Sequence, residues 1–173
     1  RRQEKTTKCN HRHDNGLGPF CHEYVASSKD GAMKKFFYKT VPFLPVHDLN
    51  ATIEFYTHVL GFTHPWFWGD PPTDAGCHRD ELSLLFNYNP AMAKKIGGFE
   101  LVMFVDDVDG IYNEFRGKPQ IKFTAPIKDE PWGIREFTIR DLNGYFLRIS
   151  CSIERINKHL RGETKKHQRA RAG

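Results

Sequence analysis

Val46-His47-Asp48-Leu49-Asn50 and Val105-Asp106-Asp107-Val108-Asp109 stand 59 positions apart, and their likeness decides the fold. Each closes an apolar run, 41–46 in the first case and 99–105 in the second, that reads as a strand. Asp48 and Asp107 then open helices as N-caps, where a side-chain carboxylate accepts hydrogen bonds from the first free backbone N–H groups. Leu49, Ile53, Tyr56 and Leu60 line one stripe of the first helix, which stops at Gly61. Val108, Ile111, Tyr112 and Phe115 line the second, which stops at Gly117. Both stripes follow the 3.6-residue period, and each ends at a residue free to turn left-handed. Two matching caps, stripes and stops predict a duplicated unit.

Three strand candidates follow each helix. In the first half they are 63–68, a short run near 75–78, and 81–86; in the second they are 120–124, 134–139 and 145–150. Asp141-Leu142-Asn143-Gly144 supplies a hairpin turn between the last two. Residues 87–96, with Asn89-Pro90, read as the connection between the halves. The expected domain is α+β, over 37–150, made of two tandem βαβββ units at about 37–88 and 97–150. A polar, Gly-punctuated extension over 1–36 is expected to be disordered or loosely attached, and 151–173 to form a basic helix or tail with its helix over 152–162.

A chain of 173 residues has room for one sizeable core. No apolar run nears the ~20 residues of a membrane-spanning helix and no signal peptide opens the sequence, so a cytoplasmic protein without a membrane partner is expected. Cys9, Cys21, Cys77 and Cys151 lie far apart with no C-x-x-C spacing, which reads as reduced thiols. The net charge of +5 belongs to the ends. Residues 1–32 carry +2 and 151–173 carry +5, which leaves 33–150 at −2 and speaks against a nucleic-acid partner for the folded body. The tail from Lys165 to Arg171 is able to touch a polyanion, but it reads first as a solvated terminus.

Further motifs complete the pattern. Pro45-Val46-His47-Asp48-Leu49 is followed by Glu54-Phe55-Tyr56 and Leu60-Gly61-Phe62. Phe104-Val105-Asp106-Asp107-Val108 is followed by Pro131-Trp132-Gly133-Ile134-Arg135-Glu136-Phe137 and Arg140-Asp141-Leu142-Asn143-Gly144. A duplicated βαβββ unit with these landmarks resembles the vicinal oxygen chelate superfamily, whose glyoxalase fold bends its strands into cupped mixed sheets, and within it the bleomycin-resistance proteins. The Pro-Trp-Gly-x-Arg-Glu-Phe element is the more specific one. The resemblance covers about two thirds of the chain. It implies a homodimer and, in the enzymes of the superfamily, a divalent metal held from four strands.

The four equivalent positions here are Val41, Leu84, Glu100 and Arg148. Only Glu100 suits a cation, which needs three or more protein ligands, and an arginine there repels it. No metal and no cofactor is therefore expected, and a Glu100–Arg148 charge pair is expected in their place. Without a Lewis acid the reading moves from enzyme to binder. The resemblance implies antibiotic resistance by drug binding, with a bleomycin-like glycopeptide sequestered in an aromatic groove. A metal-dependent glyoxalase- or dioxygenase-type enzyme with a displaced metal at Glu100 and a histidine is the alternative; a binder of an unrelated metabolite is another.

The candidate ligand contacts are Trp66, Trp68, Phe86, Phe104, Trp132 and Asp70. Flat aromatic faces suit a planar cation, because stacking and cation–π attraction each contribute ~0.5–2 kcal/mol when desolvated. Trp66 and Trp68 alternate on a strand and so face one side. Asp70, with Asp74 and Asp80, offers a negative rim. Plainer roles compete: Phe43, Phe62, Phe104 and Phe137 suit a sheet core, the Trp pair suits a dimer seam, and Arg135 and Glu136 suit a brace. His47 reads as a solvated turn residue. His58, His64 and His78 are candidates for a new metal site, as are Cys9, His11, His13, Cys21 and His22 for zinc, although no standard finger has that spacing. Cys77 precedes His78, but strand neighbours point to opposite faces, so it is not read as a nucleophile.

Overall fold

Both aspartates cap as read. Asp48 Oδ1 accepts from Ala51 N at 2.9 Å and Asp107 Oδ1 accepts from Gly110 N at 2.8 Å. The computed structural model describes residues 39–158. All of these but Lys39 belong to the unit Thr40–Gly173, one of two into which the chain divides. The extension up to residue 38, with its Cys9–His22 zinc candidates, and the tail from 159 lie outside the described residues.

The first repeat runs β1 (Phe43–Val46), α1 (Leu49–Glu54), a π-helical turn (Phe55–Val59), β2 (Thr63–Gly69), β3 (Pro72–Arg79) and β4 (Leu82–Tyr88). A short helix α2 (Pro90–Lys95) leads to the second: β5 (Glu100–Phe104), α3 (Val108–Arg116), β6 (Lys122–Asp129), β7 (Ile134–Arg140) and β8 (Phe146–Ser152). Each repeat forms its own four-stranded sheet, ordered β1-β4-β3-β2 and β5-β8-β7-β6. In each, the first and last strands pair in parallel and the others antiparallel, so both sheets are mixed. The α+β duplication stands. Residues 153–158 are helical, within the expected span.

The helical stripes are the core. Leu49, Ile53, Tyr56 and Leu60 are buried, as are Val108 and Phe115, while Ile111 and Tyr112 pack at its edge. Two local details differ from the sequence reading. The first helix widens after Glu54, where Leu60 N bonds to Phe55 O five residues back, an interval no apolar period announces. Gly61 is left-handed at φ +73°, but Gly117 has φ −87°, so the second helix stops in ordinary backbone geometry.

The two repeats are joined through the turn at 141–144. Asp141 Oδ1 accepts from Asn143 N at 2.9 Å and Tyr145 N at 2.8 Å, while its Oδ2 accepts from the Tyr56 hydroxyl of the first repeat at 3.0 Å. Asn143 donates to Thr52 Oγ1 at 3.0 Å and accepts from His47 N at 3.2 Å. The Tyr145 hydroxyl donates to Pro45 O. A second bridge runs across the surface, where Arg79 Nη2 meets Glu114 Oε2 at 2.7 Å and Lys118 Nζ donates to Val59 O at 2.7 Å. Burial tends to raise the Glu114 pKa, but its hydrogen bonds to Arg79 and Lys118 prevail and lower it.

Candidate functional site

Of the candidate side chains, Trp66, Trp68 and Phe104 lie on the sheet faces that turn away from the core. Along β8 the alternation sends Leu147, Ile149 and Cys151 to the core and Arg148 and Ser150 to the opposite face, where Arg148 is half-buried and Ser150 is covered. On β5, Met103 goes inward, and Glu100, Val102 and Phe104 stay exposed.

Parallel pairing of β5 with β8 brings Glu100 to Arg148. The guanidinium donates Nε to Glu100 Oε1 at 3.0 Å and Nη2 to Oε2 at 2.8 Å, a two-pronged match of planar groups. The expected charge pair is therefore present. Arg148 Nη1 also lies 3.6 Å from Glu136 Oε1 on β7, and Glu136 Oε2 accepts from Ser150 Oγ at 3.0 Å. Two carboxylates thus share one guanidinium, and the cluster keeps an excess negative charge. Glu136 is only 8% exposed. Its place in the site was legible only through register: the hairpin turn at 141–144 sets Glu136 opposite Ser150.

These residues do not fit a divalent ion. Glu100 is occupied by Arg148, and among the described residues no group of three or more His, Cys, Asp or Glu side chains is gathered to hold a metal. His64 and His78 do meet, as rings stacked with centroids 4.8 Å apart, but without a third ligand. His58 lies elsewhere, on the outer side of the π-helical turn.

The aromatic candidates divide. Phe104 is 68% exposed, Trp132 64% and Trp68 45%. Trp132 sits in the turn before β7, where Gly133 takes φ +82°. Trp66 is half-buried and lies across Gly76 on β3; a Cβ there would come within 2.5 Å of the indole. Gly76→Ala is accordingly expected to cost about 1–3 kcal/mol by overpacking and to red-shift the tryptophan emission, checked by denaturant titration. Phe86 is corrected: its side chain is fully buried, with its ring 4.9 Å from that of Tyr56. Alternation puts it with Leu84 on the core face, so it has no surface to offer a ligand, and Leu84 is corrected too: Leu85, paired with Phe43 as Arg148 is with Val102, is the true counterpart of Arg148.

Asp70 is exposed. Asp74, opposite Trp68 in register, is tied to Asn87 and Thr73, and Asp80 sits in the β3–β4 turn at φ +52°. Arg135 braces the second repeat by binding Asp109 of α3 and Asp129 of β6. Cys77 is buried, which pushes its thiol up to about 12, so it is no nucleophile.

The Glyoxalase/Bleomycin resistance protein/Dioxygenase superfamily profile matches residues 39–149. Among solved structures, the chain is similar to a bleomycin-binding protein from bleomycin-producing Streptomyces verticillus complexed with copper(II)-bleomycin. Identity there is 24% and the TM-score 0.58, over 69% of this chain and 99% of that one. It is similar to a bleomycin resistance determinant encoded on the transposon Tn5 at 21% identity and TM-score 0.57, over 67% and 98% of the two chains. A glyoxalase/bleomycin resistance protein/dioxygenase from Nocardioides matches at 24% identity and TM-score 0.56, over 70% and 87%. No curated protein matches the chain. Likeness at these identities speaks for the fold.

Proposed function

This chain belongs to the glyoxalase/bleomycin resistance protein/dioxygenase superfamily, and we propose that within it the chain is a metal-free binder that sequesters a bleomycin-type antibiotic. The observation that carries this reading is the two-pronged Glu100–Arg148 pair, which spends the one usable metal ligand on a guanidinium. The side chains left on the open faces support it. Exposed Trp68, Phe104 and Trp132 give flat apolar area, and the Glu100–Glu136–Arg148 cluster and Asp70 give negative charge, the combination a planar cation requires.

No ring contact joins Trp68, Phe104 and Trp132 among the described residues of one chain. Pairing of two chains, so that the open sheet of one repeat faces the other repeat's sheet in a partner, would close a groove around the ligand, and this dimer is part of the proposal. A bleomycin titration followed by tryptophan fluorescence tests the reading. Saturable quenching at micromolar drug, with an apparent mass near twice the chain's 20.1 kDa, is expected. Absence of quenching and of saturation removes the antibiotic assignment, and stoichiometric metal in the purified protein overturns the metal-free one.

A further inference from the structure

We propose that the cleft between the first helix and β2, on the side of the sheet opposite Trp66 and Trp68, is a second small-molecule site that takes an arylalkylamine. The argument starts with Phe67. Alternation along β2 turns it away from the two tryptophans and toward the helix, the direction in which a large aromatic normally finds the core. It does not reach it: Phe67 remains 42% exposed. The strand is irregular just before it, where the pairing with β3 shifts between Thr63 and Trp66 and His64 takes φ +51°. Facing it, the helix changes to π geometry at Phe55, a widening that recurs where proteins bind ligands. Between the two lies a cleft of about 450 Å³, within the range of small-molecule sites.

The lining specifies the occupant. Phe62, Pro65 and Phe67 give one apolar wall, suited to a flat ring. Asn50, Glu54 and His58 give the opposite wall, three successive outward positions of the helix. Thr57 also lines the cleft, but its hydroxyl already donates to Ile53 O at 2.7 Å. Among the described residues Glu54 is the one carboxylate of this lining and no lysine or arginine lines it, so the polar wall attracts a cation and repels an anion. A protonated amine on a short arm reaches Glu54 while its ring lies on Phe67, with Asn50 and His58 able to accept its remaining N–H groups.

The test uses the full chain, isotope-labelled, with tryptamine as the probe and indole-3-propionate as its anionic counterpart. Tryptamine is expected to give saturable amide shifts centred on residues 50–67, with a dissociation constant in the millimolar range. Indole-3-propionate is expected to give none. Glu54→Gln and Phe67→Ala, both at exposed positions, are each expected to weaken tryptamine about tenfold while leaving the bleomycin titration as in the wild type. Equal binding of the anion, shifts centred on Trp68 and Phe104 instead, unchanged affinity in both variants, or no saturable shift at all would each overturn the assignment. None of these outcomes bears on drug sequestration, which the bleomycin titration decides separately.

Discussion

Alanine at Asp141 is expected to lower stability by about 3–5 kcal/mol at neutral pH, a large part of what a domain of this size has in hand. The carboxylate is 6% exposed and receives the Tyr56 hydroxyl and the backbone N–H groups of Asn143 and Tyr145. Its removal leaves these buried donors without an acceptor, at about 1–3 kcal/mol each before relaxation and water entry. It also loosens Asn143, which ties the second repeat to Thr52 and His47. A fall in midpoint of roughly 10–20 °C in thermal unfolding follows from that loss. A variant as stable as the wild type would show that the turn is not the joint between the repeats.

The same residue sets a pH trend. Burial raises the Asp141 pKa, against the hydrogen bonds from Tyr145, Tyr56 and Asn143 that lower it. A folded-state value above the unfolded one means the ionisation-linked part of this group's contribution is complete below about pH 4 and declines as pH rises through the raised value, leaving the hydrogen-bonding part described above. The stability difference between wild type and Asp141→Ala is therefore expected to shrink as pH climbs through that window, as read from denaturant midpoints at a series of pH values.

The second large effect concerns binding. Replacing Phe104 and Trp132 together by alanine is expected to weaken bleomycin about 100-fold, from two ring contacts of about 1–2 kcal/mol each. Both rings are mostly exposed, so the variant keeps the wild-type circular dichroism and unfolding midpoint, and the loss is one of contact. The variant loses one of the three tryptophan reporters, so calorimetry, which compares the two proteins on one scale, is the measurement. Undiminished affinity would remove the open face of the second repeat from the ligand site.

What the sequence made legible follows from how local each signal is. Asp48 and Asp107 cap within three residues of themselves, and the stripes from Leu49 and Val108 repeat at one fixed interval, so both helices could be located from the chain alone. Glu100 and Arg148 are far apart in sequence, yet the duplicated topology made β5 and β8 neighbours and so predicted their meeting. Signals that depend on packing were lost. Asn89-Pro90 signals only a break in the sequence, although Asn89 caps α2 by accepting from Met92 N and Pro90 sits in its first turn. The sequence supports only a short run near 75–78, because Pro72 and Asp74 are poor strand formers, but β3 spans eight residues, held between β2 and β4. The aromatic character of Phe86 points to a ligand contact, and the period-two pattern it shares with Leu84 decides otherwise.

Every sheet hydrogen-bond ladder stays inside one repeat, and the hydrogen bonds that cross between the halves are side-chain bonds around Asp141 and Glu114, beside a hydrophobic core to which both repeats contribute. The exposed stretch at Lys94, Lys95, Gly97 and Gly98 can therefore be cut without severing a strand pair. For protein engineering the chain is a natural two-piece reporter: halves made separately would carry complete sheets, and their reunion would rebuild a shared apolar core and two polar bridges, of which the one at Asp141 can be tuned by a single substitution.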